Sequence, residues 1–429
     1  MRVLMLASEY PPAKIFGLGR AVHDLSRALA EGDDEVHVLT NSIGGRDQDT
    51  AMAGVNVHRI NYPNPPQPPD STSCVVQFNI CLVERAHQIL PDLGAFDLVH
   101  AHDWLVALAA DAIRTQHRIP LVTTIHDTAL GKYFGELDRS QQYIAFTERW
   151  LVSESSRVIA CSEFIRRELV QDYGAEPART DVVPCGVNPS LFSAEVNLPA
   201  FRSVFAREGE RVILYVGRLD PEKGVEVLLR AFADLLGRRS SLRLVVAGQG
   251  QRRQALADLV EELSLEEHVT FLGYVAHPAL AALYQSAAVV TVPSLYEPFG
   301  LVALEAMVCG RPLASSDAGG LAEIVEDGKT GLRVPAGDVG ALAQALESLL
   351  DGSDFAGRLA EAGRNYVIAN YSWDRVAEQT RRTYQRALSA PKMPHQNLLP
   401  RRPERPAAPS AENVGSSDGR SKADSGEGR

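Results

Sequence analysis

The sequence predicts an α/β protein with two Rossmann-like domains, and three observations support that prediction. Short apolar runs alternate with amphipathic helical segments along most of the chain, as in parallel sheets covered by helices. The alternation pauses in a Pro-containing connection near residues 189–200 and then starts a second series. The chain has 429 residues, which is too long for one ordinary domain. We therefore expect an N-terminal domain over residues 1–198 and a second domain over residues 199–371, facing one cleft.

The composition is that of a globular protein and argues against nucleic-acid binding. Hydrophobic residues make up 45% of the chain, charged residues 23%, and the formal net charge is −11. No apolar run approaches the ~18–20 residues of a membrane helix, and Arg2–Ala7 looks like a first strand rather than a signal peptide. The odd number of cysteines and the lack of C-x-x-C favour a reducing, cytoplasmic location without a zinc framework. The five cysteines are Cys74, Cys81, Cys161, Cys185 and Cys309.

The first strand leads into a loop that suits a phosphate. A turn rich in Pro and Gly follows Arg2–Ala7, and an amphipathic helix then begins near Leu18. Gly17 and Gly19 would let backbone N–H groups approach a phosphate closely, and Lys14 would add a positive charge. The loop lacks the G-x-G-x-x-G dinucleotide fingerprint. A tight turn with two structural glycines is the alternative interpretation of this segment.

Polar residues end further strands of the first domain, and ligands of open α/β sheets bind at the carboxyl ends of strands. His100–Trp104 begins in the strand Asp97–His100, and His126-Asp127 follows the strand Leu121–Ile125. We expect these side chains to point into one crevice, although lone histidines at such places are often structural. The H-x-H pair has no third ligand at a suitable spacing, so we predict no metal there. Ser162 is expected to cap the helix that follows it. The other strands expected in this domain are Glu35–Thr40, Val55–Ile60, Arg157–Cys161 and Asp181–Pro184.

The first strand of the second domain, Arg211–Val216, ends beside two cations. Residues 217–224 stand between this strand and an amphipathic helix. Arg218 and Lys223 would therefore lie next to a helix N-terminus, an arrangement that suits a diphosphate. The alternative is that Arg218 pairs with Asp220 on the surface.

A pair of carboxylates follows a buried strand later in this domain. The run Ala288–Val292 is a predicted strand, and Pro298 is placed to open a helix that extends to about Val308. Glu297 would then lie in the loop at the carboxyl end of the strand, and Glu305 about two turns into the helix. Such a pair of carboxylates can bind two different parts of one ligand. The alternative is an exposed loop Glu and a helix Glu paired with a basic side chain.

Two more loops and a tail complete the second half of the chain. Gly248 closes the predicted strand Leu242–Ala247, and Asp317-Ala318-Gly319-Gly320 is expected to expose backbone amides at a helix start. From residue 389 to residue 429 the chain is rich in proline and has no aromatic residue. We predict that this tail is disordered, because it cannot bury enough apolar surface.

Together these motifs resemble glycosyltransferase family 4, the GT-B retaining group that includes glycogen synthases. The resemblance covers about residues 1–388. The family's E-x7-E is matched by Glu297 and Glu305, and its G-R-L-x-x-x-K-G is matched by residues 217–224. The resemblance implies the GT-B fold, two Rossmann-like domains facing a cleft, with a helix over residues 372–388 that crosses back to the N-terminal domain.

Three stretches match glycogen synthases in particular. Their H-x-H-D-W and T-I-H sequences are matched by His100–Trp104 and Thr124–His126. Their K-T-G-G-L-G is matched only in part by Lys14–Gly19, since Phe16 replaces a glycine there. That replacement bears on how closely an acceptor or phosphate can approach the loop at residue 16.

The resemblance implies a role for each matched residue. Arg218 and Lys223 would hold the donor diphosphate and neutralise the departing charge. Glu297 would contact the donor sugar hydroxyls, and Glu305 the nucleotide ribose. His126 would contact the transferred sugar near its 6-hydroxyl. The remaining implied contacts are Asp103 on the acceptor side and, on the donor side, Gly17, Lys14, Gly248, Gly300, Leu301, Gly319 and Gly320.

The activity implied is that of a retaining hexosyltransferase. It would move glucose from ADP- or UDP-glucose to an α-1,4-glucan or maltodextrin, with no metal or other cofactor. A cell-envelope glycan, a lipid or a small molecule is the alternative acceptor. A nucleotide-sugar epimerase and a non-catalytic nucleotide-sugar sensor are the readings from other functional classes. The sequence leaves open the nucleotide base, the acceptor and the oligomeric state.

Overall fold

The computed structural model describes residues 1–12, 17–42, 46–62, 71–193 and 197–390. Two β-sheets flanked by helices contain the predicted strands. The N-terminal sheet has eight strands in the order β3-β4-β2-β1-β5-β6-β7-β8, parallel except for β3. Its strands are β1 (Arg2–Leu6), β2 (Glu35–Asn41), β3 (Gln48–Met52), β4 (Val55–Ile60), β5 (Leu98–His102), β6 (Leu121–Ile125), β7 (Arg157–Ala160) and β8 (Thr180–Val182).

Helices cover the N-terminal sheet, and their sequences explain where they begin. Helix α1 buries Val22, Leu25 and Leu29 on one face, as its apolar spacing predicts. The hydroxyl of Ser162 accepts the N–H of Ile165 at 3.1 Å, which confirms the predicted N-cap. The helices of this part are α1 (Gly17–Glu31), α2 (Ser71–Leu93), α3 (Ala107–His117), α4 (Ala129–Lys132), α5 (Arg139–Glu154) and α6 (Glu163–Asp172).

The C-terminal sheet is parallel throughout, with six strands in the order β11-β10-β9-β12-β13-β14. After the short helix α7 (Leu198–Arg202), its strands are β9 (Arg211–Val216), β10 (Leu242–Ala247), β11 (Val269–Gly273), β12 (Val289–Val292), β13 (Leu313–Ser316) and β14 (Leu332–Val334). The chain order reverses between β9 and β12, and in the N-terminal sheet between β1 and β5. Ligands of doubly wound sheets bind at such reversals.

The C-terminal sheet carries its own helices, and its core is built as the sequence predicts. Helix α8 turns a wide apolar face inward, with Leu228, Leu229 and Phe232 fully buried. The helices are α8 (Val225–Leu236), α9 (Arg253–Glu262), α10 (Ala279–Ser286), α11 (Leu301–Val308), α12 (Leu321–Ile324), α13 (Val339–Asp351), α14 (Ser353–Asn370) and α15 (Trp373–Ser389).

Helix α15 packs on the N-terminal sheet, so the predicted crossover is confirmed. The hydroxyl of Tyr384 lies 2.7 Å from Nδ1 of His100, and Arg381 pairs with Asp34 at 2.6 Å. Val376 and Tyr384 belong to the apolar cluster that also contains Val3 of β1. The last helix of the chain is therefore part of the core around the first strand.

The helix after β12 begins later than predicted. Helix α11 starts at Leu301, after Gly300 with a φ of 118°, so Pro298 lies in the loop instead of opening the helix. The carbonyl oxygen of Pro298 accepts the hydroxyl of Ser162 at 2.6 Å, which ties this loop to the N-terminal part. Glu305 is consequently about one turn into the helix, not two.

Some predictions fall on residues that the structure does not describe. Lys14 and Phe16 of the glycine-containing loop lie outside the described residues, and so does the predicted tail beyond Ala390. The first residue of that predicted tail, Ser389, is the last residue of α15. Within the described ranges, no helix is long and apolar enough to span a membrane.

Candidate active site

Arg218 sits just past the end of β9 and is held by two carboxylates. Its guanidinium donates to Asp220 at 2.5 Å and to Glu222 at 2.7 Å, and about a third of the side chain is exposed. The hydroxyl of Tyr215 donates to the Arg218 carbonyl at 2.6 Å, which fixes the backbone. The pairing with Asp220 that the sequence left open is therefore present, and Glu222 adds a second partner. An anionic ligand at Arg218 would share or replace these carboxylates.

Lys223 and Glu297 come from the two strand ends that flank the reversal of the C-terminal sheet. The ammonium of Lys223 lies 2.9 Å from Oε2 of Glu297, and the hydroxyl of Ser294 donates to the same oxygen at 2.9 Å. Gly224, with a φ of 66°, follows Lys223, and a Cβ at Gly224 would lie 2.1 Å from the Pro293 carbonyl oxygen. Glycine is thus required for these two loops to meet.

Three of the glycines predicted on the donor side, Gly248, Gly319 and Gly320, lie against neighbouring loops. The N–H of Gly320 donates to the Glu297 carbonyl at 2.8 Å, so the prediction of an exposed amide at Gly320 is wrong. Gly319 lies against the same carbonyl. At the end of β10, a Cβ on Gly248 would lie 1.7 Å from the Gly217 carbonyl oxygen, so Gly248 allows the loops after β9 and β10 to touch.

Glu305 is buried on α11 and both of its carboxylate oxygens are engaged. Oε1 accepts from Arg20 of helix α1, and Oε2 accepts the hydroxyl of Tyr284 at 2.7 Å. Arg20 lies in the first turn of α1, next to the glycine-containing loop, and the two sides of the cleft also meet at Gly17. A Cβ on Gly17 would lie 3.6 Å from the Leu301 side chain. Glu305 thus joins the two halves of the protein.

Sequence reasoning did not single out Arg20 or Tyr284. The signal for Arg20 was its place immediately after Gly17-Leu18-Gly19, at the start of a helix where an anionic ligand was expected. Tyr284 gave no such signal, because it reaches Glu305 from a different helix, 21 residues earlier in the chain.

On the N-terminal side, Asp103 and His126 follow neighbouring strands and contact each other. The Asp103 carboxylate accepts the backbone N–H of His126 at 2.7 Å. Burial raises the pKa of Asp103 well above its usual range, and the nearby charge of Asp127 adds to this, while the N–H of His126 opposes it. Burial lowers the pKa of His126 to about 4, although Asp127 acts in the other direction. His126 is therefore neutral at physiological pH.

His126 is the outer member of a row of three histidines, which we call the histidine column: His100, His102 and His126. His100 and His102 project from the same face of β5, with ring centroids 4.1 Å apart. Nδ1 of His102 lies 3.2 Å from Nε2 of His126. At its inner end the column is held by Tyr384 and by Thr124, whose hydroxyl is 2.8 Å from Nε2 of His100.

Charges on the two sides of the cleft affect one another. Burial disfavours the charge on Arg218, but the carboxylates of Glu222, Asp220 and Asp127 raise its pKa above the usual value. Asp127 belongs to the N-terminal side, immediately after His126. Across the described part of the chain, no cluster of three or more His, Cys, Asp or Glu side chains could hold a metal ion.

The loop that carries Glu297 is attached to the N-terminal side at several points. The hydroxyl of Tyr296 donates to Glu168 at 2.9 Å and lies 3.2 Å from that of Thr128. The carboxylate of Glu323 accepts the N–H groups of Glu163 and Phe164 at 3.0 and 2.8 Å, at the start of α6. These contacts bring the predicted donor residues and the predicted acceptor-side residues to one cleft.

Comparisons with known proteins agree with this arrangement. The family model described as Glycosyltransferase Family 4 matches residues 15–191, and the one described as Glycosyl transferases group 1 matches residues 199–366. The glycogen synthase of Mycobacterium tuberculosis is 35% identical over 417 residues, covering 93% of this chain and 98% of that protein. The D-inositol 3-phosphate glycosyltransferase of Gordonia bronchialis is 35% identical over 344 residues, covering 77% and 73%.

Solved structures give the same fold. The sucrose-phosphate synthase of Thermosynechococcus elongatus superposes with a TM-score of 0.78 at 28% identity, covering 90% of this chain and 98% of that one. The two mostly parallel sheets, together with these comparisons, show a glycosyltransferase of the GT-B fold. The chain belongs to glycosyltransferase family 4 and is similar to glycogen synthases.

Proposed function

We propose that the protein transfers glucose from ADP- or UDP-glucose to an α-1,4-glucan or maltodextrin. The observation that carries this proposal is the contact of Lys223 with Glu297 beside Arg218, opposite His126. In this proposal Arg218 and Lys223 bind the diphosphate, and Glu297 and His126 contact the sugar. The 35% identity to a glycogen synthase over 93% of the chain supports glucose and a glucan.

In this proposal the two cations stabilise the leaving group. The bond between the anomeric carbon and the diphosphate oxygen breaks, and negative charge accumulates on the diphosphate. Arg218 and Lys223 are oriented by carboxylates beside a helix start before the reaction, so they are already positioned to stabilise that charge. Such stabilisation is commonly worth a few kcal/mol for each donor. This is why we propose transfer without a bound metal ion.

We further propose that transfer retains the anomeric configuration by attack on the front face. The acceptor oxygen forms its bond to the anomeric carbon on the face that the diphosphate leaves, and the acceptor proton passes to a departing phosphate oxygen. In this proposal Glu297, whose Oε2 is held by Lys223 and Ser294, binds sugar hydroxyls. No covalent glycosyl-enzyme forms, and trapping one would contradict the proposal.

A phosphorylated small molecule is the second candidate acceptor. The D-inositol 3-phosphate glycosyltransferase of Gordonia bronchialis is as similar in identity as the glycogen synthase, although over a smaller share of the chain. The donor side of the cleft would work in the same way with this acceptor. Only the N-terminal side would have to bind a different molecule.

Release of nucleoside diphosphate from ADP-, UDP- and GDP-sugars tests these proposals. Each donor is supplied alone, with maltooligosaccharide, and with D-inositol 3-phosphate. Release from ADP- or UDP-glucose that rises with maltooligosaccharide, with longer α-linked chains in the NMR spectrum of the product, is expected. A response to inositol phosphate alone supports the second candidate. Free sugar or an epimer formed without an acceptor favours an epimerase. Donor binding without turnover favours a sensor.

A further inference from the structure

One buried nitrogen of the histidine column makes no hydrogen bond to the part of the chain that the structure describes. Nε2 of His102 is buried, and within the described residues it makes no hydrogen bond. The other nitrogen, Nδ1, faces Nε2 of His126 at 3.2 Å. The ring planes are inclined by only 27° with centroids 5.5 Å apart, so the rings lie edge to edge, as this hydrogen bond requires.

The unpartnered nitrogen decides which histidine donates. Both rings are neutral, because burial lowers the pKa of His102 well below its usual value and that of His126 to about 4. Each neutral ring therefore carries one proton. If His126 donated, His102 would accept at Nδ1 and bury an unpaired N–H at Nε2. If His102 donates, only a lone pair is left unpaired at Nε2.

A buried N–H without a partner is the rarer and costlier arrangement. His102 therefore carries its proton at Nδ1 and donates to Nε2 of His126. His126 must then carry its own proton at Nδ1. His126 follows β6 at the cleft edge and is more exposed than His102, which is fully buried.

We propose that His102 is a positioning residue that sets the tautomer of His126, so that His126 presents an Nδ1–H donor to an oxygen of the transferred sugar. This inference rests on the proposed function for the identity of the sugar. His100 in turn holds His102 in place. Both nitrogens of His100 are hydrogen-bonded, to Tyr384 and Thr124, and its ring packs on His102. The tautomer of His126 thus depends, through His102 and His100, on Tyr384 of helix α15.

Histidine ¹⁵N NMR tests the tautomer without any substrate. The chain has 11 histidines, and two-bond ¹H–¹⁵N correlations distinguish a protonated from a bare ring nitrogen in each. Signals of the column are assigned by their loss in His126→Gln and His102→Phe. We expect protonated Nδ1 in both His102 and His126. A protonated Nε2 in His126 of the wild-type protein would overturn the proposal.

Two substitutions then connect the tautomer with activity. His102→Phe keeps a planar ring but removes the donor, and it also removes the unpaired Nε2, so the fold should not lose stability on that account. We expect the tautomer of His126 to shift toward Nε2–H in this variant. We also expect kcat to fall about tenfold, the effect of losing one hydrogen bond, with little change in the KM for the donor. His102→Asn, whose amide N–H replaces Nδ1–H, should restore most of kcat. Unchanged kcat in His102→Phe would overturn the positioning role.

His37→Phe is the matched control. His37 is also buried, and its Nδ1 lies 2.9 Å from Nε2 of His58, but this pair joins β2 and β4, away from the column. Its loss should leave the His126 tautomer and kcat unchanged. The measurements distinguish a failure of the proposed function from a failure of the tautomer proposal. A wild-type protein with the expected tautomer but no diphosphate release from any donor would contradict the proposed function alone. Release with the other tautomer would contradict only the inference.

Discussion

At the scale of single residues, the contact of Lys223 with Glu297 is the one that the proposed catalysis depends on most. Its ammonium pairs with Glu297, and both side chains are about 15% exposed, so their charges are poorly screened by water. A buried charge-assisted contact of this kind is stronger than a surface ion pair. Under the proposed function, Lys223 orients the carboxylate of Glu297 and also attracts the diphosphate.

We expect Lys223→Ala to reduce kcat about a hundredfold, the loss typical of one preorganised electrostatic contact. The measurement is steady-state release of nucleoside diphosphate with the preferred donor. Lys329→Ala is the control, because Lys329 also pairs with a glutamate but is 70% exposed and lies on a surface turn. Similar rates in Lys223→Ala and the wild-type protein would remove Lys223 from the diphosphate site.

At the scale of elements, the sequence specified most strands but few long-range partners. The bounds of β4, β6, β9 and β10 were predicted as found. Strands β9 and β10 are mostly apolar runs, as expected for strands buried on both faces, whereas the sequence of β4 also contains Asn56, His58 and Arg59. The edge strand β3 was missed, since its Gln48–Met52 sequence is polar and largely exposed. Helix α2 was not predicted either, because its amphipathic periodicity is weak and it contains Pro91.

The sequence predicts those parts of the candidate site in which all residues of a motif come from one loop. Residues 217–224 and Glu297 fall at strand ends that the sequence identifies, so their meeting at one edge follows from the parallel topology. The contact between Arg20 and Glu305 could not be predicted, because it joins residues 285 positions apart across two domains. Likewise, the apolar spacing of the crossover helix predicts which face is buried. It does not predict the contact of Tyr384 with His100.

Helices α4 and α5 are joined by a carboxyl group that titrates in an unusual range. Glu148 of α5 is buried and accepts the first N–H of α4, at Ala129, at 3.1 Å. Burial raises the pKa of Glu148 from 4.5 to about 8, although the Ala129 N–H and Tyr173 oppose the shift. Between pH 4.5 and about 8 the folded protein thus keeps a proton that the unfolded chain releases. Stability present below pH 4.5 is lost as the pH rises through this window.

We expect Glu148→Gln to escape this loss, because the amide does not titrate and its carbonyl can still accept the Ala129 N–H. The free energy of unfolding of the variant relative to the wild-type protein should rise by on the order of 3 kcal/mol from pH 5 to pH 8. Urea unfolding at a series of pH values measures it. Glu136→Gln, on the exposed loop before α5, is the control and should show no such trend. A pH-independent difference for Glu148→Gln would show that Glu148 is ionised in the folded protein.

At the scale of the whole molecule, the pair of Arg20 and Glu305 links the two sheets through buried charge. Glu305 is almost fully buried, Arg20 is about a quarter exposed, and Tyr284 completes the hydrogen bonding of the carboxylate. Removing one partner of such a pair leaves an uncompensated charge, which costs more than removing both. The pair should therefore couple the stability of the N-terminal and C-terminal parts.

A double-mutant cycle on this pair measures that coupling. Arg20→Ala should destabilise the protein by about 3 kcal/mol, because Glu305 would remain charged and buried beside Tyr284. In the Glu305→Gln background the same substitution should cost about 1 kcal/mol, so the coupling energy would be about 2 kcal/mol. Urea unfolding of the four proteins gives the cycle, and Arg382→Ala with Glu378→Gln, an exposed pair on α15, serves as the matched control. Additive losses at Arg20 and Glu305 would mean that this ion pair does not couple the stability of the two domains.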